Sequence, residues 1–298
     1  MNVQKTSNLS NMSLKYLDKK YNKEVIPFNL KKIMSLVFKN CDKSIIDSSS
    51  SSFNIKCIEN FDFYYYNCEF INDYNWGCAW RCIQMVLSSL IYNNIIVGNK
   101  ELIKFDLLFY NYGSKDSLVK IFNKLNNKDI YSDLPSYFLT KNEFAPFDNK
   151  YNWAEPFIAQ LIVYDKGIKG KLILINGYPE NAFAPKEVFE KDIYTFNDFK
   201  NLLISYFNSS KKVYPMIIDN SISTYCIIGI CINKKCAYDS NDKITIDLII
   251  ADPHVKINES YENYIYVIEL NESGNPLNHN KTFDFKKDNY FMLYYIDI

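Results

Sequence analysis

The last third of the chain constrains the fold most strongly. It holds five short runs of β-branched and aromatic residues, each of strand length and each followed by a polar segment. Upstream of them, apolar residues recur at helical spacing. Helices first and then a mostly antiparallel sheet is the order of an α+β fold, with a cleft between a helical half and a sheet half as the natural place for a site. The five predicted strands are Pro215 to Ile218, Tyr225 to Ile232, Ile244 to Ala251, Tyr264 to Leu270 and Tyr290 to Ile296.

Three upstream segments have the apolar period of a helix. The first begins at Cys78 and predicts about four turns, with Asp73 and Asn75 supplying the turn and cap that enter it. The aromatic segment before it is typical of a strand. These predictions cover helices over Glu155 to Val163 and Thr195 to Phe207, and strands over Phe61 to Tyr66 and Lys171 to Ile175.

The N-terminal region has a different character. Residues 1 to about 47 are polar and Lys-rich, apart from the amphipathic stretch Phe28 to Phe38, and the serine run Ser48 to Ser52 follows. Serine-rich segments behave as flexible linkers. We therefore expect residues 1–52 to be a flexible, solvated extension and residues 53–298 to form the folded domain.

Composition excludes several classes of protein. The 298 residues carry 34 basic and 34 acidic side chains, so the net charge is zero, which argues against a protein that coats nucleic acid. No apolar run approaches the roughly 18 residues of a membrane span. The polar N-terminus lacks the apolar region of a signal peptide, so we expect a cytoplasmic protein whose eight cysteines are reduced. Without a CxxC pair and with two histidines, a structural zinc site is not expected, and the proposed chemistry below implies no metal or cofactor.

Cys78 stands at the predicted first turn of its helix. A thiol there lies close to unsatisfied backbone amides and the positive end of the helix dipole, which stabilise a thiolate. Gly77 would let the backbone approach a substrate carbonyl closely. A lone cysteine before an apolar helix is nevertheless more often a packing residue, so both interpretations stay open. Cys82, one turn later, is expected in the core.

The sequence Asp252-Pro253-His254 directly follows a predicted strand. Side chains at i and i+2 of an extended segment point the same way, so the carboxylate could accept from the imidazole Nδ1–H and leave Nε2 free as a base. Asp-Pro is also a common turn dipeptide, and the two interpretations stand even. If the chain is a cysteine hydrolase, His254 is the base almost by elimination, because His279 lies in a polar loop without an acidic neighbour.

A tyrosine cluster, Tyr64 to Tyr66, precedes Cys78. A phenol hydroxyl could donate to the oxyanion of a tetrahedral intermediate. In a chain with 25 tyrosines, ordinary strand aromatics are the better explanation of the cluster without further information.

The spacing of these motifs resembles the ubiquitin-fold-modifier-specific cysteine proteases. The likeness covers roughly residues 60 to 298, and its specific parts are the WGC…R and DPH motifs. The residues that carry it are Tyr66-x-Cys68-Glu69, Asp73-x-x-Trp76-Gly77-Cys78-Ala79-x-Arg81, Gln84, Pro215 to Ile218, Ile227-Ile228-Gly229 and Ile250 to His254.

The resemblance implies a papain-like α+β fold and hydrolysis after the C-terminal glycine of the modifier, in precursor maturation or release from target lysines. It implies that Cys78 is the nucleophile, His254 the general base, Asp252 its orienting group and Tyr66 an oxyanion donor. Its implied partners are the modifier and the conjugates of the modifier, and we expect the protein to act on them as a cytoplasmic monomer. Association with the surface of the endoplasmic reticulum is implied by the resemblance alone.

Neighbouring residues receive lesser roles. Trp76 could wall a narrow substrate groove, although a packed aromatic is an equal interpretation, and Arg81 is expected to pair with a carboxylate such as Glu69. Asn75 replaces a family glycine and should tolerate positive φ. The segment Asp219-Asn220-Ser221 replaces a glycine-rich loop, which puts the geometry of the substrate loop in doubt.

Three alternatives stay open. The autophagy cysteine proteases share WGC…R and DPH, and Cys82, Gln84 and Met85 resemble their version of the helix. A second alternative is an inactive module that binds the modifier without cutting it. The third is a globular protein with accidental motifs.

Overall fold

The computed structural model describes residues 24–40, 53–114, 117, 120–121, 154–177, 189–193, 195–220, 222–235, 243–256, 259–271, 273–274 and 290–298. Within these ranges the chain forms α-helices, strands and two short 3-10 helices. The α-helices are α1 (Leu30–Asn40), α2 (Cys78–Tyr92), α3 (Phe105–Tyr112), α4 (Pro156–Asp165) and α5 (Phe196–Phe207). The strands are β1 (Ile26–Asn29), β2 (Phe53–Cys57), β3 (Asn60–Phe63), β4 (Gly170–Ile175), β5 (Lys191–Ile193), β6 (Met216–Asp219), β7 (Thr224–Lys235), β8 (Lys243–Ala251), β9 (Ile265–Ile268) and β10 (Phe291–Ile296).

A large, mostly antiparallel sheet dominates the structure. Its strand order is β5-β4-β10-β6-β7-β8-β9, and the β4–β5 pair is parallel. β7 is 12 residues long, so its first part pairs with β6 and its later part with β2. An irregularity between Ile227 and Gly229 falls where β7 passes from one partner to the other. The predicted α+β fold is confirmed.

The predicted strands and helices lie within three residues of the observed ones. Helices cover the sheet: α4 packs on β4 and β10, and α2 packs on β6 and β7. Because this packing buries the strands, they are recognisable in the sequence as apolar runs. Every residue of β6 and β10 is buried, which accounts for their unbroken apolar sequence. Within the described residues, no helix is long and apolar enough to cross a membrane.

The expected flexible extension is wrong for the amphipathic stretch. β1 pairs with β3 in antiparallel register, and α1 packs against β9. Phe28 stacks on Phe61 with ring centroids 5.4 Å apart, which anchors β1 to the core. Residues 24–40 are therefore part of the folded domain. The serine run lies outside the described residues, so its role as a linker stays a prediction.

Candidate active site

Three separate segments converge at the first residue of α2. Cys78 begins this helix, and its side chain is buried. Tyr66 follows β3, and His254 lies in the segment after β8. The backbone N–H of Tyr66 donates to the Pro253 carbonyl at 2.9 Å, which fixes these two segments side by side. The structure thus brings together the cysteine, histidine, aspartate and tyrosine singled out in the sequence.

Asp252 orients the imidazole of His254. Its Oδ1 lies 2.5 Å from His254 Nδ1 and also accepts the His254 backbone N–H at 2.9 Å. Its Oδ2 accepts the Tyr266 hydroxyl at 3.0 Å. A carboxylate with these three partners has little rotational freedom, so Nδ1 carries the proton and Nε2 faces Cys78.

His254 is held in its charged form. Burial lowers the pKa of the ring, but the hydrogen bonds to Asp252 and to Cys78 outweigh burial and raise the pKa to about 10. The imidazole is therefore protonated at neutral pH. An imidazolium in hydrogen-bond contact with a sulfur favours the thiolate form of that sulfur.

Tyr66 is a second side chain in hydrogen-bond contact with the Cys78 sulfur. Burial raises the pKa of its phenol far above the ordinary value, and the neighbouring Cys78 sulfur adds to this through charge and a hydrogen bond. The hydroxyl consequently stays protonated and can donate. Its ring packs edge-on against His254, with centroids 5.2 Å apart, and Tyr225 lies 4.9 Å from the same imidazole. These contacts hold the imidazole plane in place.

A third polar neighbour of the sulfur was missed by the sequence analysis. Thr224 Oγ1 lies 3.7 Å from Cys78 Sγ, and the Thr224 hydroxyl donates to Asp219 in a very short hydrogen bond. Asp219 and Thr224 face each other across β6 and β7. Asp219 was named in the sequence as part of the segment that replaces a glycine-rich loop, whereas no signal in the sequence singled out Thr224.

The predicted cap of α2 is wrong, and the reason is a buried ion pair. The N-cap residue is Gly77, without a side-chain hydrogen bond. Asp73 instead binds Arg81 Nε at 2.7 Å through Oδ2 and accepts the Asn67 backbone N–H at 2.8 Å through Oδ1. A fully buried guanidinium requires a carboxylate more than the helix end requires a cap.

Arg81 joins the helix to the loop that precedes it. Its Nη1 lies 2.7 Å from Glu69, which confirms the predicted pairing, and it also donates to Gln84 Oε1 at 2.9 Å. Its Nη2 donates to the Cys68 carbonyl at 3.0 Å. The planar guanidinium thereby satisfies groups on both the loop and the helix.

This loop has an unusual backbone. Asn67, Glu69, Phe70 and Asn75 have φ between 57 and 67°, in the left-handed region. The predicted tolerance of Asn75 for positive φ is confirmed. For residues with a Cβ this conformation costs roughly 1–2 kcal/mol each, so the contacts of Arg81 must stabilise the loop that places Tyr66 and Cys78.

Trp76 and Gly77 have clear packing roles. Trp76 is partly buried and packs edge-on against Phe105 and Phe109, with centroids 5.7 and 6.0 Å away. A Cβ on Gly77 would lie 2.1 Å from Asp73 Oδ2. The glycine is thus needed for the close approach of the buried carboxylate, and substrate contact by Trp76 or Gly77 stays a prediction.

Other predicted residues have mixed outcomes. Cys82 is fully buried, as expected of a core residue, and burial raises the pKa of its thiol. His279 and Ser221 lie outside the described residues. Within the described part of the chain, no group of three or more His, Cys, Asp or Glu side chains could hold a metal ion.

Comparison with known families adds an independent observation. Residues 54–107 match the model described as peptidase family C78. The matched segment is thus similar to the corresponding part of these peptidases. It contains Tyr66, Cys78 and the whole of α2, and this is the family of the ubiquitin-fold-modifier-specific proteases, so the resemblance drawn from the motifs is confirmed.

Solved structures also match the chain. One of them, UfSP from C. elegans, has 12% sequence identity and a TM-score of 0.47 over 94% of this chain. The chain spans 38% of the length of that protein. A comparison of this chain with curated proteins found no match.

Proposed function

We propose that the protein is a thiol hydrolase that cleaves after the C-terminal glycine of a ubiquitin-fold modifier, in precursor maturation or in release from target lysines. The observation that carries this proposal is the contact between Cys78 and a His254 imidazole bonded to Asp252 at 2.5 Å. The C78 match over residues 54–107 supports the substrate class.

The chemistry follows from the arrangement of donors around the sulfur. The Cys78 thiolate attacks the glycine carbonyl and forms a tetrahedral intermediate. His254 then donates its Nε2 proton to the leaving amine, and a thioester remains on Cys78. The neutral imidazole next removes a proton from water, which hydrolyses the thioester and releases the modifier with a free carboxylate. Asp252 keeps the ring in one tautomer throughout.

Two donors can stabilise the oxyanion. Cys78 is the first residue of α2, so its backbone N–H has no partner within the helix. The Tyr66 hydroxyl is the second donor, since its raised pKa keeps it protonated. Removing one such donor typically costs about a hundredfold or more in rate.

The alternative functions predict different results. An autophagy-type protease would act on another ubiquitin-like protein, and the C78 match favours the ubiquitin-fold modifier instead. An inactive binding module has no need for Cys78, Asp252 and His254 together, and their mutual contacts argue for catalysis.

The direct test is incubation with two ubiquitin-like substrates, the ubiquitin-fold modifier and the autophagy modifier, each extended past its final glycine. We expect cleavage of the first substrate, loss of cleavage in Cys78→Ala and His254→Ala, and retention in Cys57→Ser, which changes a half-buried thiol on β2. Cleavage of the autophagy substrate alone would overturn the proposed substrate class. Binding without cleavage would establish the inactive module.

We further propose that the protein acts as a cytoplasmic monomer on the modifier and its conjugates. The proposal comes from the family resemblance and the sequence composition. Light scattering of the purified protein and the location of a fluorescent fusion test its two parts. A dimer in solution, or a fusion confined to another compartment, would contradict them.

A further inference from the structure

Tyr266 lies beside the proposed catalytic residues but has no part in the mechanism proposed for Cys78. It stands on β9, opposite Ile250 of β8 in the antiparallel register. The Asp252 backbone N–H continues this pairing by donating to the Tyr264 carbonyl at 2.8 Å. Residues two apart along a strand share a face, and diagonal neighbours on paired strands are within reach of a long aromatic side chain. The register therefore places two tyrosines, Tyr264 and Tyr266, close to the Asp252 carboxylate.

The two tyrosines differ in the partners of their hydroxyls. The Tyr266 hydroxyl donates to Asp252 Oδ2 at 3.0 Å. The Tyr264 hydroxyl instead donates to Glu259 at 2.5 Å and accepts the Lys256 backbone N–H at 3.1 Å. Tyr264 is thus a tyrosine of the same segment that holds the neighbouring loop, whereas Tyr266 binds a residue of the site itself.

The two oxygens of the Asp252 carboxylate have separate partners. Oδ1 lies 2.5 Å from His254 Nδ1 and accepts the His254 backbone N–H at 2.9 Å. Oδ2 accepts the Tyr266 hydroxyl. Asp252 is only 8% exposed, so water is a poor substitute for that hydroxyl. The bond from Tyr266 therefore holds the plane of the carboxylate and keeps Oδ1 directed at the imidazole.

The orientation of the His254 ring depends on this carboxylate. The Tyr66 and Tyr225 rings lie 5.2 and 4.9 Å from the imidazole and limit its tilt. Ring contacts of this kind persist when an imidazole turns over by 180°, so they do not decide which nitrogen faces Cys78. The bond from Nδ1 to Oδ1 does decide it, because it leaves Nε2 on the side of the sulfur.

Strand β9 is a rigid support for Tyr266. It pairs with β8 along four residues, and α1 packs against it. Lys39 of α1 also binds Glu262, which lies just before the strand, at 2.6 Å. A group that orients another residue is most effective on an element that is itself held in place. The N-terminal segment 24–40 therefore contributes to the site through β9.

We propose that Tyr266 is a positioning residue, which fixes the Asp252 carboxylate and through it the His254 imidazole in the orientation that faces Cys78. The inference rests on the proposed function, since it adds a residue to the same site. Its consequence is that the contribution of the Tyr266 hydroxyl to catalysis passes through Asp252.

The test is a double-mutant cycle on cleavage of the ubiquitin-fold modifier extended past its final glycine. Tyr266→Phe removes the hydroxyl and keeps the ring. We expect kcat to fall about tenfold and KM to stay within about twofold, because a hydrogen bond to a charged group is lost but no contact with substrate. In the Asp252→Ala background, the same substitution should change kcat by less than about twofold.

The matched control is Tyr264→Phe, which removes the neighbouring hydroxyl that does not bind Asp252. This variant should keep kcat within about twofold of the wild type. Melting temperatures of the two tyrosine variants show whether each is folded at the temperature of the assay.

A second measurement does not depend on turnover. The proton on His254 Nδ1 is bonded to Asp252, and NMR of protein labelled with 15N at histidine follows its exchange with solvent. In Tyr266→Phe this proton should exchange about tenfold faster than in the wild type, because the carboxylate that holds it turns more freely. In Tyr264→Phe the exchange rate should match the wild type.

The outcomes separate this inference from the proposed function. A wild-type exchange rate in Tyr266→Phe, or a loss of kcat that is as large without Asp252 as with it, would overturn the positioning role and leave the catalytic residues as proposed. If the wild-type protein cleaves no modifier substrate, the proposed function fails, and the exchange of the His254 proton still decides whether Tyr266 orients the pair.

Discussion

Arg81 should be a main source of stability around the site, and Arg81→Met tests this. The guanidinium has no solvent exposure and binds the fully buried Asp73 and the mostly buried Glu69, each at 2.7 Å. The substitution leaves the fully buried Asp73 and the 15% exposed Glu69 without their cation. Breaking a buried pair in this way costs roughly 3–5 kcal/mol.

The expected change in melting temperature follows from that cost. For a domain of this size, 1 kcal/mol corresponds to roughly 2–4 °C. Arg81→Met should therefore lower the melting temperature by about 10 °C in a calorimetric scan. Arg81→Lys keeps the charge but cannot reach two carboxylates at once, and an intermediate loss is expected.

An exposed ion pair supplies the matched control. Lys39 binds Glu262 at 2.6 Å, but the two side chains are 59% and 39% exposed. Such surface pairs contribute little to stability, because solvent and salt screen the two charges. Lys39→Met should lower the melting temperature by no more than about 3 °C. Equal losses in Lys39→Met and Arg81→Met, or a loss below about 3 °C in Arg81→Met, would refute the structural role of the guanidinium.

Three further predictions concern the site itself. Tyr66→Phe should lower kcat by about a hundredfold with little change in KM, because one oxyanion donor is lost; a kcat within threefold of wild type would contradict that role. Asp252→Asn should lower the pKa of His254 from about 10 in an NMR titration, since the anion that stabilises the charged ring is gone. A histidine pKa that is raised in the folded protein stabilises the fold at pH values below the pKa of the unfolded chain, and this stabilisation is lost as the pH rises through the folded value of about 10. The variant should therefore lack the fall in stability that the wild type shows over this rise in pH. Gly77→Ala should destabilise the protein by about 1–3 kcal/mol in urea unfolding, since its Cβ would lie 2.1 Å from Asp73; an unchanged midpoint would show that the loop adjusts freely.

Much of the architecture could be predicted because local patterns decide it. The late strands are apolar on both faces, and α2 keeps a helical period from its first residue. The Asp252 and His254 pair was also predictable, because an i, i+2 spacing in extended backbone places both side chains on one side. These features need no knowledge of distant residues.

The missed features depend on contacts between distant segments. Asp73 looks like a cap until Arg81, eight residues later, reaches back to it. The Asp219 and Thr224 pair exists because the turn between β6 and β7 sets their register, which the polar residues of that turn do not reveal. β1 pairs with β3 across more than 30 residues, and an amphipathic stretch alone does not name its partner.

The tyrosine cluster shows the same limit. Alternation along a strand could not separate Tyr66 from Tyr64 and Tyr65, because β3 ends at Phe63. The hydrogen bond from the Tyr66 backbone N–H to the Pro253 carbonyl brings this tyrosine beside His254. The family resemblance named the residue, and the tertiary contact gives the physical reason. Its catalytic role stays a prediction.

The most direct test of a working nucleophile uses the ubiquitin-fold modifier with an electrophile in place of its terminal glycine carboxylate. Intact-mass and peptide analysis should show one adduct, on Cys78, that is absent in Cys78→Ala and forms at least tenfold more slowly in His254→Ala. The same reaction in Cys57→Ser should match the wild type. An adduct on another cysteine, or none at all while the modifier still binds, would contradict the assignment of Cys78, His254 and Asp252 as one catalytic unit.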